Sequence, residues 1–198
     1  MTHALIVIDV QNDFCPGGAL EVPQGDEILR GVNALMPEFD AVVLTQDWHP
    51  AGHSSFASSH DGNAPYEVVT MPYGPQVLWP DHCIQGSIGA QFHPELQADR
   101  ADLIIRKGYN PDIDSYSAFF ENDHRTPTGL EGYLRTRGIE RLTMVGLALD
   151  FCVNFSAVDA AKLGFKVDVR EDLCRAIDLD GSLAKSREGM RAAGVTLA

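Results

Sequence analysis

Leu5-Ile6-Val7-Ile8-Asp9 is the stretch on which the fold turns. Four consecutive apolar residues, three of them β-branched, are too few for a buried helix. They show no polar alternation, so they read as a strand covered on both faces and ended by an acid. Further strands are read at Ala41-Val42-Val43-Leu44-Thr45, Leu103-Ile104-Ile105, Leu142-Thr143-Met144-Val145, Phe165 to Val169, and Val195-Thr196-Leu197. Between these runs, Asp26 to Met36 carries Ile28, Leu29, Val32, Leu35 and Met36 at helical spacing, and Phe151 to Leu163 and Ser182 to Ala193 also read as helices. Strands alternating with helices predict an α/β protein. The expectation is a three-layer, Rossmann-like fold with a mainly parallel sheet of about six strands and helices on both faces.

One region departs from this rhythm. From Asp47 to about 101 the chain is rich in Pro, Gly, Ser and His and has little periodicity, with a short helix suggested only at Pro94-Glu95-Leu96. A loop of that length in a compact domain is expected to build a site. The expectation is therefore one domain over 1–198 with a site-building insertion at about 47–101. With 15 Lys+Arg against 28 Asp+Glu, the net charge of −13 gives no footprint for nucleic acid or an anionic membrane. No apolar run approaches the ~20 residues of a membrane span, and the N-terminus lacks the basic and cleavage regions of a signal peptide. Cys15, Cys83, Cys152 and Cys174 form no CxxC pair, which predicts free thiols and a cytoplasmic protein.

Ligands of open α/β sheets bind beyond the carboxyl ends of the strands. The residues there are Asp9 after the first strand, Asp47-Trp48-His49 after the second, Arg106 and Lys107 after the third, and Gly146 through Asp150 to Cys152 after the fourth. Asp150 is expected to cap the next helix and put Cys152 in its first turn, where the helix N-terminus would lower the thiol pKa below ~8.5. Asp9 can take the thiol proton, and the Lys107 ammonium can favour the anion. Asp47 and His49 lie two apart on an extended segment, so their side chains point the same way. A third ligand could come from His53, His60 or His82. One Asp and two His suit Zn²⁺, Fe²⁺ or Mn²⁺.

These residues and their flanks resemble the nicotinamidases among the isochorismatase-like cysteine hydrolases. The resemblance runs nearly the whole chain. It is carried by Ile8-Asp9-Val10-Gln11-Asn12-Asp13-Phe14, Thr45-Gln46-Asp47-Trp48-His49-Pro50, Trp79-Pro80-Asp81-His82-Cys83, Lys107-Gly108, Asp114-Ser115-Tyr116-Ser117-Ala118-Phe119-Phe120 and Gly146-Leu147-Ala148-Leu149-Asp150-Phe151-Cys152-Val153. The Asp-Trp-His and Trp-Pro-Asp-His-Cys motifs are specific to the metal-containing branch.

The resemblance implies hydrolysis of nicotinamide to nicotinate and ammonia in NAD salvage, with pyrazinamide as a second substrate. It implies Asp9, Lys107 and Cys152 as catalytic residues and the backbone N–H groups of Ala148 and Cys152 as oxyanion hole. It picks Asp47, His49 and His82 as ligands to one divalent metal, Zn²⁺ ahead of Fe²⁺ or Mn²⁺, with His53 an additional group nearby. Phe14, Trp79 and Tyr116 would line the substrate pocket, and a cis peptide is expected between Ala148 and Leu149. The family commonly has Thr where this chain has Leu149. The implied partner is the small-molecule substrate, with the chain a monomer or homo-oligomer. Two other readings stand beside this one. In the first, a metallohydrolase uses its metal to activate water and the cysteine is structural. In the second, the chain is a nucleotide-binding module, against which the glycine-free turn Asp9-Val10-Gln11-Asn12-Asp13 argues.

Overall fold

A computed structural model describes residues 2–198. Six strands form one parallel sheet: β1 (Thr2–Ile8), β2 (Ala41–Asp47), β5 (Leu103–Lys107), β6 (Ile139–Leu147), β7 (Lys166–Arg175) and β8 (Thr196–Leu197), in the order β5-β2-β1-β6-β7-β8. The remaining pair, β3 (Val68–Met71) and β4 (Gly74–Val77), is a separate antiparallel hairpin. Four α-helices cover the sheet: α1 (Leu29–Leu35), α2 (Leu130–Thr136), α3 (Asn154–Lys162) and α4 (Ser182–Ala192). The expected α/β architecture is therefore the observed one.

β1 is central and buried on both faces. Ala4, Ile6 and Ile8 join the core formed with α2, α3 and α4, and Leu5 and Val7 join the core formed with α1. Each such side chain contributes roughly 1.5–3 kcal/mol on burial, which is why the run is uniformly apolar. The chain moves outward from β1 to β2 to β5, then returns to β6 on the other side of β1. The direction of winding thus reverses between β1 and β6, and their carboxyl ends diverge to leave a crevice. Gly146 lets the two strands approach there. It pairs with Ile8 at φ +120°, and a Cβ would lie 2.2 Å from the Ile8 carbonyl oxygen.

Several elements differ from expectation. The 26–36 helix is a composite of helical turns at Gly25–Ile28 and Met36–Glu38 around α1. β7 continues past the expected Val169 to Arg175, because its second half pairs again with Gly146 and Leu147, and Cys174 is a buried strand residue. The turn expected at 94–96 lies at Ala98–Arg100. Among the described residues, no helix is long and apolar enough to cross a membrane.

Candidate active site

Asp9 ends β1 with a left-handed backbone, φ 49°, which Asp tolerates better than most residues. That turn directs the carboxylate into the crevice. Its Oδ1 accepts a 2.6 Å bond from the Thr45 hydroxyl, which also accepts from the Asp9 N–H. Its Oδ2 lies 2.9 Å from Lys107 Nζ yet takes no hydrogen bond of good geometry. Lys107 ends β5 and is fully buried. Its ammonium meets Asp9, Asp47 Oδ1, the Ser115 carbonyl at 2.8 Å and Cys152 Sγ at 3.5 Å. Carboxylate oxygens of Asp9 and Asp47 and the Cys152 sulfur all lie within 4.8 Å of one another. Acid, amine and thiol from three strand ends therefore share one buried point.

The ionisation at that point differs from expectation. Burial pushes the Cys152 thiol well above its ordinary range; Lys107 opposes this, while Asp9 and Asp47 add to it. The cause is geometric. Cys152 sits inside a wide π-helical turn, Leu149–Val153, ahead of α3, and the dry pocket outweighs any helix-terminus effect. Asp150 does not cap that turn. Its carboxylate accepts from the N–H groups of Ile177 and Asp178 and from the Ser182 hydroxyl, tying the end of β7 to α4. Burial likewise raises Asp9, with Asp47 adding and Lys107 opposing. For Lys107, burial pulls the amine down, but Asp47 and Asp9 outweigh it and hold the ammonium charged. The resting state thus pairs a protonated thiol with a carboxylate more basic than a surface one.

On the far side of Asp47, His49 Nδ1 donates to the Gly108 carbonyl and His82 Nδ1 to the Pro80 carbonyl, each at 2.8 Å. A carbonyl can only accept, so each Nδ1 carries a hydrogen and the Nε2 atoms are the ring nitrogens left for another partner. They face Asp47 Oδ2 at 3.6 and 3.8 Å, too far for hydrogen bonds and suited to an ion between them. Gly108, at φ +67°, makes the contact possible, since a Cβ would stand 2.5 Å from the His49 ring. Burial raises the Asp47 carboxyl, but Lys107 and His49 together hold it well below the usual range, in the anionic form a metal needs. These residues fit a divalent metal ion.

The other two histidines are accounted for differently. His53 packs 4.5 Å from the His49 ring, but its Nε2 donates to the Asn110 carbonyl and its Nδ1 accepts from the Ser55 hydroxyl. His60 Nε2 donates to the Ser54 carbonyl.

A cavity opens above the thiol. Phe14, Trp79 and Tyr116, the three residues read as pocket wall, line it beside Ala148, Asp47, His82 and Cys152, together with Phe151, Leu20, Ile177 and Asp114. Trp79 meets Phe151 edge-on at 4.9 Å. Phe151 could have been suspected from its place beside Cys152, whereas Ile177 has no sequence signal. The cis peptide lies at Leu147–Ala148, where the chain leaves its pairing with β7, and not at Ala148–Leu149. Leu149 is buried in the core with Val153, so its side chain faces away from the cavity.

Residues 3–198 match the isochorismatase domain model, and the chain belongs to the isochorismatase family. Within it, the chain is 54% identical over 192 residues to the nicotinamidase of Acinetobacter baylyi, covering 97% of this chain and 90% of that protein. It is 47% identical over 200 residues to the nicotinamidase of Escherichia coli, covering 98% and 93%. The solved Acinetobacter baumanii nicotinamidase/pyrazinamidase superposes with TM-score 0.98 at 54% identity, covering 99% of this chain and 95% of that one. PnC1 of L. infantum, solved with nicotinate, gives 0.87 at 42%, covering 100% and 92%. The Pyrococcus horikoshii pyrazinamidase, solved with zinc, gives 0.80 at 35%, covering 100% and 99%.

Proposed function

We propose that this chain is a nicotinamidase, hydrolysing nicotinamide to nicotinate and ammonia, and pyrazinamide by the same route, in NAD salvage. The observation that carries the reading is the meeting of Asp9, Lys107 and Cys152 at one buried point, with Cys152, Asp47 and His82 lining an aromatic cavity and His49 facing Asp47. Nicotinamidases at 54% and 47% identity support the same activity. Residues 1–198 act as one domain in this reading, with 47–101 supplying Trp79 of the pocket wall and the three metal ligands Asp47, His49 and His82. The site draws on a single chain, so a monomer or a homo-oligomer would serve. Four buried free thiols suit the reducing cytoplasm.

Asp9 takes the Cys152 proton as sulfur attacks the carboxamide carbon. Burial makes that carboxylate more basic than a surface one, which suits it to take a proton. The forming oxyanion is held by the N–H groups of Ala148 and Cys152; one such donor is typically worth ~100-fold or more. Lys107 keeps Asp9 oriented and offsets the charge that passes through the site. Asp9 then returns its proton to the departing nitrogen, the C–N bond breaks, ammonia leaves and a nicotinoyl thioester remains. Asp9 next takes a proton from water as its oxygen attacks the thioester. The C–S bond breaks, Asp9 gives that proton to the sulfur and so restores the thiol, and nicotinic acid leaves and loses its own proton to solvent as nicotinate. Phe14, Trp79 and Tyr116 sandwich the ring. Asp47, His49 and His82 would hold Zn²⁺, which supplies a Lewis-acidic partner for the pyridine nitrogen and so orients the ring.

Ammonia release with nicotinamide, pyrazinamide, benzamide and an aliphatic amide tests the reading. The pyridine and pyrazine amides should be cleaved far faster than the others, and mass spectrometry after acid quench should find a nicotinoyl adduct on Cys152. Equal rates across the panel, or turnover with no adduct in wild type and full activity in Cys152→Ala, would overturn it.

A further inference from the structure

Gln76 lies on β4, outside every motif quoted above, yet it is 1% exposed. Its carboxamide orientation is forced by its neighbours. Nε2 faces the Val77 carbonyl at 2.8 Å, Asp114 Oδ2 at 2.9 Å and the Tyr116 hydroxyl at 2.8 Å. Two of these can only accept, so that end is the nitrogen. Oε1 accepts from Asn122 Nδ2 at 3.0 Å and from the Tyr73 hydroxyl at 3.2 Å. Asn122 in turn uses its own oxygen to accept the Tyr116 backbone N–H at 3.0 Å. Tyr116 is therefore held at both ends, its backbone by Asn122 and its phenol by Gln76. The phenol oxygen also accepts from Trp79 Nε1 at 3.0 Å, so the indole is aligned through the same atom.

We infer that Gln76 is a positioning residue for substrate binding: its buried carboxamide holds the Tyr116 phenol, and through it the Trp79 indole, as the fixed aromatic wall of the cavity. The inference rests on the nicotinamidase reading for the identity of the substrate. Gln76 does not line the cavity and is far from the proton transfers in bonding terms; it acts only on the rings that do line it. Its consequence is a split between binding and chemistry. Without Gln76 the wall rings gain freedom, and each productive encounter must order them again. Nicotinamide binding weakens while Asp9, Lys107 and Cys152 keep their places.

Four variants of the metal-loaded enzyme test this: Gln76→Leu, Gln76→Met, Tyr116→Phe, and Gln76→Leu combined with Tyr116→Phe. Met keeps the length of the side chain and sets no charge against Asp114 while removing the donor to Tyr116, so it serves where the Leu variant fails to fold. Both Gln76 variants should raise KM for nicotinamide about ten-fold while kcat changes less than about three-fold. Because Gln76 acts through the phenol, the double variant should have a KM no higher than the worse single variant, about ten-fold below the product of the two effects. Trp48 and Trp79 are the two tryptophans. In a Trp48→Phe background, Trp79 emission should change in both Gln76 variants. A purely structural glutamine would lower the melting temperature and leave KM and Trp79 emission unmoved, which would overturn the inference. So would multiplicative KM effects in the double variant, or a loss confined to kcat. A wild type inactive on nicotinamide would instead overturn the functional reading, and Trp79 emission would still decide whether Gln76 aligns the wall.

Discussion

Asp9 and Asp13 stand four residues apart in one turn and do opposite things. Asp9 Oδ2 is a buried oxygen with an ammonium 2.9 Å away and no well-aligned donor, so it is free to take a proton. Asp13 is fully committed. Its Oδ2 accepts the Cys83 N–H at 2.7 Å and its Oδ1 the Ala19 N–H at 3.2 Å. Asp9→Asn keeps an oxygen for Thr45 but cannot act as a base. Steady-state kinetics should show kcat/KM down by about 100-fold to 10,000-fold. Asp13→Asn turns one amide nitrogen toward a backbone N–H and leaves that donor unmet. Urea unfolding should show a loss of about 1–3 kcal/mol, with kcat near wild type. Equal losses of activity at the two positions would mean that the wrong acid carries the proton.

At the scale of elements, legibility followed burial pattern. β1, β2 and β6 are covered on both faces, so an unbroken apolar run was enough to find them. α2 escaped notice because seven residues hold only Leu130 and Leu134 as a buried face, with Gly132 between them. The β3–β4 hairpin escaped because Gly74 and Pro75 open β4 and its partner strand is largely exposed. The carboxyl-end rule brought out Asp9, Asp47, Lys107 and Cys152, which sit where strands stop. Gln76 works only through buried contacts with Asp114, Tyr116 and Asn122, 38 to 46 positions away, and nothing local signals that. The thiol's ionisation was misread because helix position is visible in sequence and desolvation is not.

The 80–85 segment shows the same dependence on contacts. Beyond the His82 ring, it is anchored by Cys83 N–H to Asp13, His49 N–H to the Cys83 carbonyl at 3.0 Å, and Gln85 N–H to the His49 carbonyl at 2.8 Å. His82→Ala should therefore abolish stoichiometric metal by elemental analysis and raise KM for nicotinamide, yet leave amide hydrogen exchange at 83–85 close to that of wild type. Retained metal would remove His82 from the ligand set, and fast exchange across 83–85 would show that the metal is the segment's main tether.

For the molecule as a whole, the site is a charge problem solved at the seam of the sheet. Asp9 and Asp47 bring two buried negative charges, and Lys107 brings one positive, at the one place where β1 and β6 separate. One buried negative charge is left over, with the Nε2 atoms of His49 and His82 facing Asp47 at 3.6 and 3.8 Å. Leaving a buried charge unpaired is costly, and a divalent cation at Asp47, His49 and His82 converts that cost into binding energy tied to the folded state. At about 100 times its dissociation constant, such an ion adds ~2.7 kcal/mol. For a domain of this length, that is a melting temperature higher by roughly 5–10 °C. Differential scanning fluorimetry on chelator-treated protein should show that loss, and adding back Zn²⁺, Mn²⁺ or Fe²⁺ under anaerobic conditions should restore it in order of affinity, with Zn²⁺ above the other two. His82→Ala should melt at the chelated temperature and ignore added metal at the same concentrations. If chelation leaves the wild-type melting temperature unchanged, Lys107 alone balances the site and no resident ion contributes to the fold.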